Sequence, residues 1–353
     1  MGTQKQYYPQ LDGLRALAAV GVLHHHWLPE LSNGQFHFDF GEFGVQLFFV
    51  LSGFLITLNL IRAVQKLGFN ASNAIKNFII RRALRLFPIY YLFLGFLVVM
   101  KQQYTIDHIG WYLGYASNIH MYMISDLPNA WANHTWTLAV EEQFYVVYPW
   151  LILLLSKRKW LLSICLLIIS GLIARFFWIH FLGQSLFGLL TPGNFHLLGI
   201  GGLLAYGVTQ GVFETKTTFQ ILLKNGQLLS LFLLVVSLAT LHYFGEDIMV
   251  TIVAPVFFGL LIIKGYFGYG GWFGTLLANR HIRYIGKISY GIYLYHKVFP
   301  YLTPIIFYKL NISLPDNFWF QYLFNLIGVF VTAHFSWILI EKRFLTLKDR
   351  FIY

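Results

Sequence analysis

The sequence predicts an all-α polytopic membrane helix bundle of about ten transmembrane helices, with both termini cytoplasmic. Three observations carry this. The 353-residue chain is 57% hydrophobic and 11% charged, with a mean hydropathy of +0.61, whereas about a quarter of a soluble domain is charged. Apolar runs of about twenty residues, the length that crosses a bilayer, recur from end to end. Lys and Arg concentrate on alternate connections between those runs, as the positive-inside rule expects.

In chain order the predicted spans are 12–29, 41–61, 84–101, 136–156, 160–182, 190–210, 227–244, 248–266, 286–308 and 318–340. With the N-terminus inside, 21 of the 25 Lys and Arg are cytoplasmic, and Lys101, Arg175, Lys297 and Lys309 lie on the far side. The formal charge of +11 is then a record of topology, and nucleic acid is not expected as a partner. The first span reads as retained rather than as a cleaved signal peptide. Cys165 is the single cysteine, which rules out an intrachain disulfide or a Cys-based zinc site. No repeat or low-complexity linker divides the chain, so residues 1–353 read as one membrane domain.

Two connections stand out. Residues 102–135 contain "IDHIGWYLGYASNIHMYM", too polar and short to span, and predict a re-entrant or interfacial helix on the outer face. Trp111, Tyr112, Tyr115 and Trp131 there could stack on a sugar ring, although an interfacial aromatic belt has the same composition. The stretch "ETKTTFQILLKNGQ" reads as a plain cytoplasmic loop.

Polar residues inside apolar spans are costly and are commonly kept for chemistry or transport. In "LDGLRALAAVGVLHHHW", Arg15 and His26 are eleven residues apart, almost three whole helical turns, and so share a face across about 16 Å of rise. Asp12 joins that face one turn before Arg15. The plain alternative is that Arg15 snorkels and the histidines sit at headgroup level. The second span, "GEFGVQLFFVLSGFLIT", shows a break at Ser52–Phe54, or simply small residues for close helix packing.

In "RRALRLFP", Arg81, Arg82 and Arg85 open the third span. Arg82 and Arg85, at i and i+3, form a pair suited to an anionic ligand, with topology and lipid contact as the alternative, favoured for Arg81. In "WTLAVEEQFYVVYP", adjacent Glu141 and Glu142 enter an apolar span near its outer end. At least one should face the bundle, where a carboxylate could support an imidazole base or pair with a helix end or an Arg. In "GKISYGIYLYHKVF", Ser289 and His296 are seven apart and share a face of the ninth span, and His296 reads equally as a packing residue or as chemistry.

Together these strings, five in one order over nearly the whole chain, resemble the bacterial integral-membrane acyltransferase-3 family. The resemblance covers the first-span Arg and His, "FFVLSGFLIT", "RRALRLFP", "WTLAVEEQFYVVYP" and "ISYGIYLYH". It implies transfer of an acetyl group from cytoplasmic acetyl-CoA to a hydroxyl of an extracytoplasmic glycan such as lipopolysaccharide O-antigen. It also implies that His26 is catalytic with Arg15 as partner, that Arg82 and Arg85 contact the phosphorylated part of the donor, and that Glu141–Glu142 is the acidic motif. Asp12 completes the expected catalytic set, and Arg81, Ser289 and His296 the expected donor-binding set; no metal is expected. The expected setting is the bacterial inner membrane, with lipid and a glycan or lipid-linked glycan as partners, and the single-domain type without an appended periplasmic hydrolase-like domain. Two departures are the run of three histidines and Lys297-Val298 after His296, where relatives often place a proline two residues on. A small hydrophobic acceptor, a proton-coupled transporter and a non-catalytic scaffold are the competing readings.

Overall fold

The computed structural model describes residues 7–28, 40–66, 68–128, 131–182, 185–215, 249–348 and 350–351, and all regular elements among them are helical. Among the described residues, four helices are long and apolar enough to cross a membrane: Phe40–Val64, Ala71–Val99, Lys157–Trp178 and Phe318–Lys348. A bent pair, Thr251–Phe267 with Gly271–Ala278, folded by 79°, makes a fifth if it counts as one span. The expected span 227–244 and most of the loop before it lie outside the described residues.

The chain divides into two compact units, residues 1–58 with 197–289, and residues 59–196 with 290–353. In the first, α1 (Pro9–Trp27) is the central helix, with Leu11, Leu14, Ala16, Ala18, Ala19, Val22 and Leu23 all buried. Small residues bring its neighbours into backbone contact. A Cβ added at Gly286 would lie 1.9 Å from the Asp12 carbonyl oxygen, and one at Gly13 would lie 2.5 Å from that of Leu277. α1 packs on α10 (Ala254–Phe267), α11 (Gly271–Ala278) and α12 (Arg280–Lys287), and closely on Gly44 of the next helix. The sharp turn between α10 and α11 needs left-handed backbone, supplied by Gly268 at φ +106° and Gly271 at φ +66°. Gln10 pins that turn, accepting from the Tyr269 N–H at 2.6 Å and donating to the Tyr269 carbonyl at 3.0 Å.

The expected break at Ser52–Phe54 is absent: α2 (Phe40–Val64) runs through it as continuous helix. Gly53 instead meets α9 (Phe195–Thr209), where a Cβ would lie 2.0 Å from the Leu198 carbonyl oxygen; one at Gly201 would lie 2.0 Å from that of Val50. The packing alternative therefore holds. Gly53→Ala and Gly201→Ala must each push backbone apart, at an expected cost of about 1–3 kcal/mol. Thermal unfolding of each variant in lipid checks this, and unchanged melting would contradict the close approach.

In the second unit, α3 (Ala71–Val99) and α7 (Trp136–Leu153) run antiparallel, as ring contacts of Phe78 with Tyr145 and of Phe93 with His134 show. The third span was expected to begin at 84, yet α3 begins at Ala71. Asn70 caps it by accepting from the Asn73 N–H at 2.9 Å, so the helix is nucleated ahead of the apolar run. Arg81, Arg82 and Arg85 consequently sit inside the helix rather than at its mouth. The expected ninth span 286–308 is also interrupted, into α13 (Ser289–Tyr295) and α14 (Phe299–Lys309) after α12. Ser289 opens α13 and His296 directly follows it, with its N–H still bonded to the Ile292 carbonyl at 3.1 Å, and both are buried.

Within 102–135 the described residues hold three short α-helices: α4 (Gln103–Asp107), α5 (Ile109–Leu113) and α6 (Ser117–Met123). Gln143 on α7 fastens them, donating at 2.8 Å to both the Tyr115 carbonyl and Asn118 Oδ1. Of the four aromatics considered for sugar stacking, Tyr112 and Tyr115 are buried, Trp131 stacks on Tyr301 at 5.3 Å, and Trp111 stacks on His120 at 5.3 Å.

That His120 ring also meets His108 at 4.5 Å and the Tyr104 hydroxyl at 3.0 Å. Burial, and secondarily the neighbouring His108, hold His120 below the usual imidazole range. A base depressed on folding adds stability that is complete above its unfolded value, about 6.5, and is lost as pH falls through and below it. Acidification from pH 7.5 to 5 should therefore loosen this stack. Trp111 fluorescence should report the change in wild type and show a smaller one in His120→Phe; identical pH profiles would contradict the assignment.

Candidate functional site

Two polar centres emerge, one in each unit. In the first unit the centre is built on the opening turns of α1. Asp12, only 9% exposed, accepts from the Tyr7 hydroxyl at 2.8 Å through Oδ2 and from Arg15 Nη1 at 3.4 Å through Oδ1. Helical i,i+3 spacing makes the Asp12–Arg15 contact, and the chain ahead of Pro9 folds back to bring Tyr7. Arg283 and Lys287 of α12 stand over the Tyr7 ring at 6.0 and 5.9 Å. Burial, reinforced by the hydrogen bond to Asp12, pushes the Tyr7 phenol up to about 12, so it remains a donor throughout the neutral range.

The other end of α1 carries the histidines. His24 Nδ1 lies 2.7 Å from the Val20 carbonyl, a local helical contact. His25 and His26 meet edge to face at 5.0 Å, and of the three only His26 is exposed. Asp12 and Arg15 thus lie in the opening turns of a single helix and the exposed His26 in its last turn.

In the second unit the centre lies where α3 meets α7. Glu142 is 8% exposed while Glu141 is only half-buried, so Glu142 is the inward member of the pair. Arg82 is the cation bearing on Glu142, and its guanidinium lies over the Tyr145 ring at 4.8 Å and the Phe78 ring at 5.6 Å. Arg81 is differently engaged: Nη1 donates to the carbonyls of Phe351 at 2.9 Å and Lys348 at 3.3 Å, clasping the C-terminal segment to α3. Topology alone does not explain it, and its contact is structural.

Tyrosines close this centre. Tyr115 stacks on Tyr90 at 4.2 Å and adopts φ +49°, a costly backbone for a bulky residue, held in place through its carbonyl by Gln143. Among the described residues, neither the Tyr115 hydroxyl nor Glu142 Oε1 has a hydrogen-bond partner, although both are buried. Such groups are expensive to leave unsatisfied, and a polar ligand would relieve them. His296 belongs to a neighbouring packed network: Nδ1 lies 2.6 Å from the Tyr293 carbonyl and its ring 4.9 Å from His134. Ser289 is buried at the start of α13.

Sequence reading missed Tyr7 and Glu341, and singled out Tyr115 only as one of four aromatics that could stack on a sugar. Glu341 is a second buried carboxylate of this unit, with Arg85 as the cation bearing on it. Its signal was an acid closing the apolar run "FSWILIE", just past the predicted span end.

Comparison with known proteins shows which family the chain is part of. The acyltransferase domain of the acyltransferase-3 family matches residues 8–341, from the Tyr7–Asp12 turn to the buried Glu341. The chain belongs to the acyltransferase-3 family. Among its relatives, the peptidoglycan O-acetyltransferase OatA of Listeria monocytogenes is 28% identical over 370 residues, covering 96% of this chain and 56% of its own length. YrhL of Bacillus subtilis, provisionally named a peptidoglycan O-acetyltransferase, is 26% identical over 374 residues, with 96% and 55% covered. A Staphylococcus aureus protein provisionally named an O-acetyltransferase is 26% identical, with 96% and 57% covered. The chain thus spans a little over half the length of these acyltransferase-3 relatives. No solved structure matches it.

Proposed function

We propose that this chain is a membrane O-acetyltransferase that carries an acetyl group from cytoplasmic acetyl-CoA to a hydroxyl of an extracytoplasmic surface glycan. The observation that carries the reading is the α1 stripe, with Asp12–Arg15 at one end and an exposed His26 at the other, inside a family match over residues 8–341. The bacterial inner membrane, the ten-span topology and the cytoplasmic termini belong to the same proposal, supported by the Lys and Arg asymmetry.

The donor supplies the acetyl thioester. The chemistry assigned to the chain's own groups is proton handling and orientation. His26 takes the proton of the acceptor hydroxyl as its oxygen attacks the thioester carbonyl. The carbon–sulfur bond then breaks, the acetyl group leaves as an ester of the acceptor, and His26 returns the proton to the departing thiolate. Transfer through an acetylated His26 is the alternative route to the same products. Arg82 and Arg85 offer guanidinium groups to the donor's phosphates, and the unpartnered Tyr115 hydroxyl and Glu142 Oε1 are the polar atoms a bound ligand would satisfy.

Relatives named for peptidoglycan make its muramyl or glucosaminyl hydroxyls the first acceptors to test, with lipopolysaccharide O-antigen as the second. Purified chain in lipid vesicles, given acetyl-labelled acetyl-CoA and either glycan, should label one of them. Labelling of neither, with a small hydrophobic acceptor labelled instead, would overturn the glycan assignment.

A further inference from the structure

Glu341 closes a local irregularity. Along α15 (Phe318–Ser336) the buried positions are Tyr322, Asn325, Val329, Ala333 and Ser336, the three- and four-residue spacing of an α-helix. Continued as α-helix, that face would next present Ile340. Instead the five residues Trp337–Glu341 form a π turn, and the next buried residue is Glu341, five on from Ser336. The wider turn replaces an apolar side chain on the inward face with a carboxylate. Single π turns of this kind recur at functional sites, because they cost helical regularity for no gain in packing.

The surroundings are built to receive that carboxylate. Glu341 is 6% exposed and its Oε1 has no hydrogen-bond partner among the described residues. Gly291 of α13 faces it, and a Cβ there would lie 3.6 Å from Oε1 and 3.2 Å from the Ala333 Cβ. The next residue back, Tyr290, donates to the Leu86 carbonyl at 3.2 Å, which ties α13 to α3 beside Arg85. Arg81, a turn earlier on α3, clasps the chain that follows Glu341. Arg82 and Arg85, one turn apart on α3, thus each have an inward carboxylate bearing on them, Glu142 and Glu341 respectively.

Arg82 and Arg85 are half-buried, and guanidinium groups held partly out of water for an anionic ligand must be compensated when that ligand is absent. We propose that Glu341 is the resident counter-ion of Arg85, a positioning residue that the π turn delivers to balance the arginine until an anionic group of the acyl donor takes its place. The inference rests on the donor reading above. A carboxylate with this role competes with the ligand, so its removal tightens donor binding and slows release of the product. A merely structural carboxylate would, when removed, weaken binding and lower stability.

The sign of the effect is the test. CoA is titrated calorimetrically into the full chain in lipid nanodiscs, wild type beside Glu341→Gln, Glu341→Asp and Arg85→Gln, with acetyl transfer measured in parallel. Glu341→Gln is expected to bind CoA at least fivefold tighter and to turn over more slowly. Glu341→Asp, whose carboxylate is drawn back by one methylene, should tighten by a smaller margin, and Arg85→Gln should lose most binding. Unchanged or weaker CoA affinity in Glu341→Gln overturns the inference, and leaves the acetyltransferase reading standing if wild type still transfers acetyl. If Glu341→Gln does not fold, Glu341→Asp decides in the same way. A wild type that neither binds CoA nor transfers acetyl overturns both.

Discussion

His26→Ala is expected to lower acceptor-dependent acetyl transfer by about 10²–10⁴-fold, the usual range for a lost general base. Insertion and melting temperature should not move, because His26 is exposed in the last turn of α1 and the helix is held by buried Leu, Ala and Val residues. Its neighbours sharpen the test. His24 contacts the Val20 carbonyl and His25 is half-buried against the His26 ring, so neither presents the same accessible imidazole. His24→Ala and His25→Ala should therefore keep most of the activity. Full transfer by His26→Ala, or its loss in His25→Ala alone, would move the base by one residue and contradict the stripe.

Arg82→Ala is expected to fail twice. Donor binding should be lost, and the protein should be destabilised by about 1–3 kcal/mol, because Glu142 is left buried without the cation that bears on it. The aromatic contacts with Tyr145 and Phe78 go as well. Arg82→Ala combined with Glu142→Gln separates the two effects: stability should return toward wild type while transfer stays lost. Thermal unfolding and CoA release, measured on both variants, check this. Recovery of transfer in the double variant would mean that Arg82 serves only to balance Glu142.

Much of this was legible before any coordinates. The helical class, the inward turn of one of Glu141 and Glu142, and the Arg15–Asp12 contact all follow from hydropathy and from helical spacing of three or four residues. Spacing failed where helices depart from regularity. The π turn at Trp337–Glu341 advances the inward face by one residue, so a strict α period puts Ile340 on that face and leaves Glu341 off it. The chain 280–298 breaks into short helices that no continuous apolar period describes, which is why the expected ninth span is interrupted. Arg81 was legible as a basic residue, but its partners, the carbonyls of Lys348 and Phe351, lie more than 260 positions away along the chain. Tyr115 was legible only as one of several aromatics, because nothing in "GYAS" announces a left-handed tyrosine stacked on Tyr90.

The most direct measurement is CoA release from acetyl-CoA by the purified chain in lipid, with and without a surface-glycan acceptor, for wild type and His26→Ala side by side. The account predicts release that depends on the acceptor in wild type and is lost in the variant, with both proteins equally folded. Acceptor-independent behaviour, or equal release from both proteins, would contradict it.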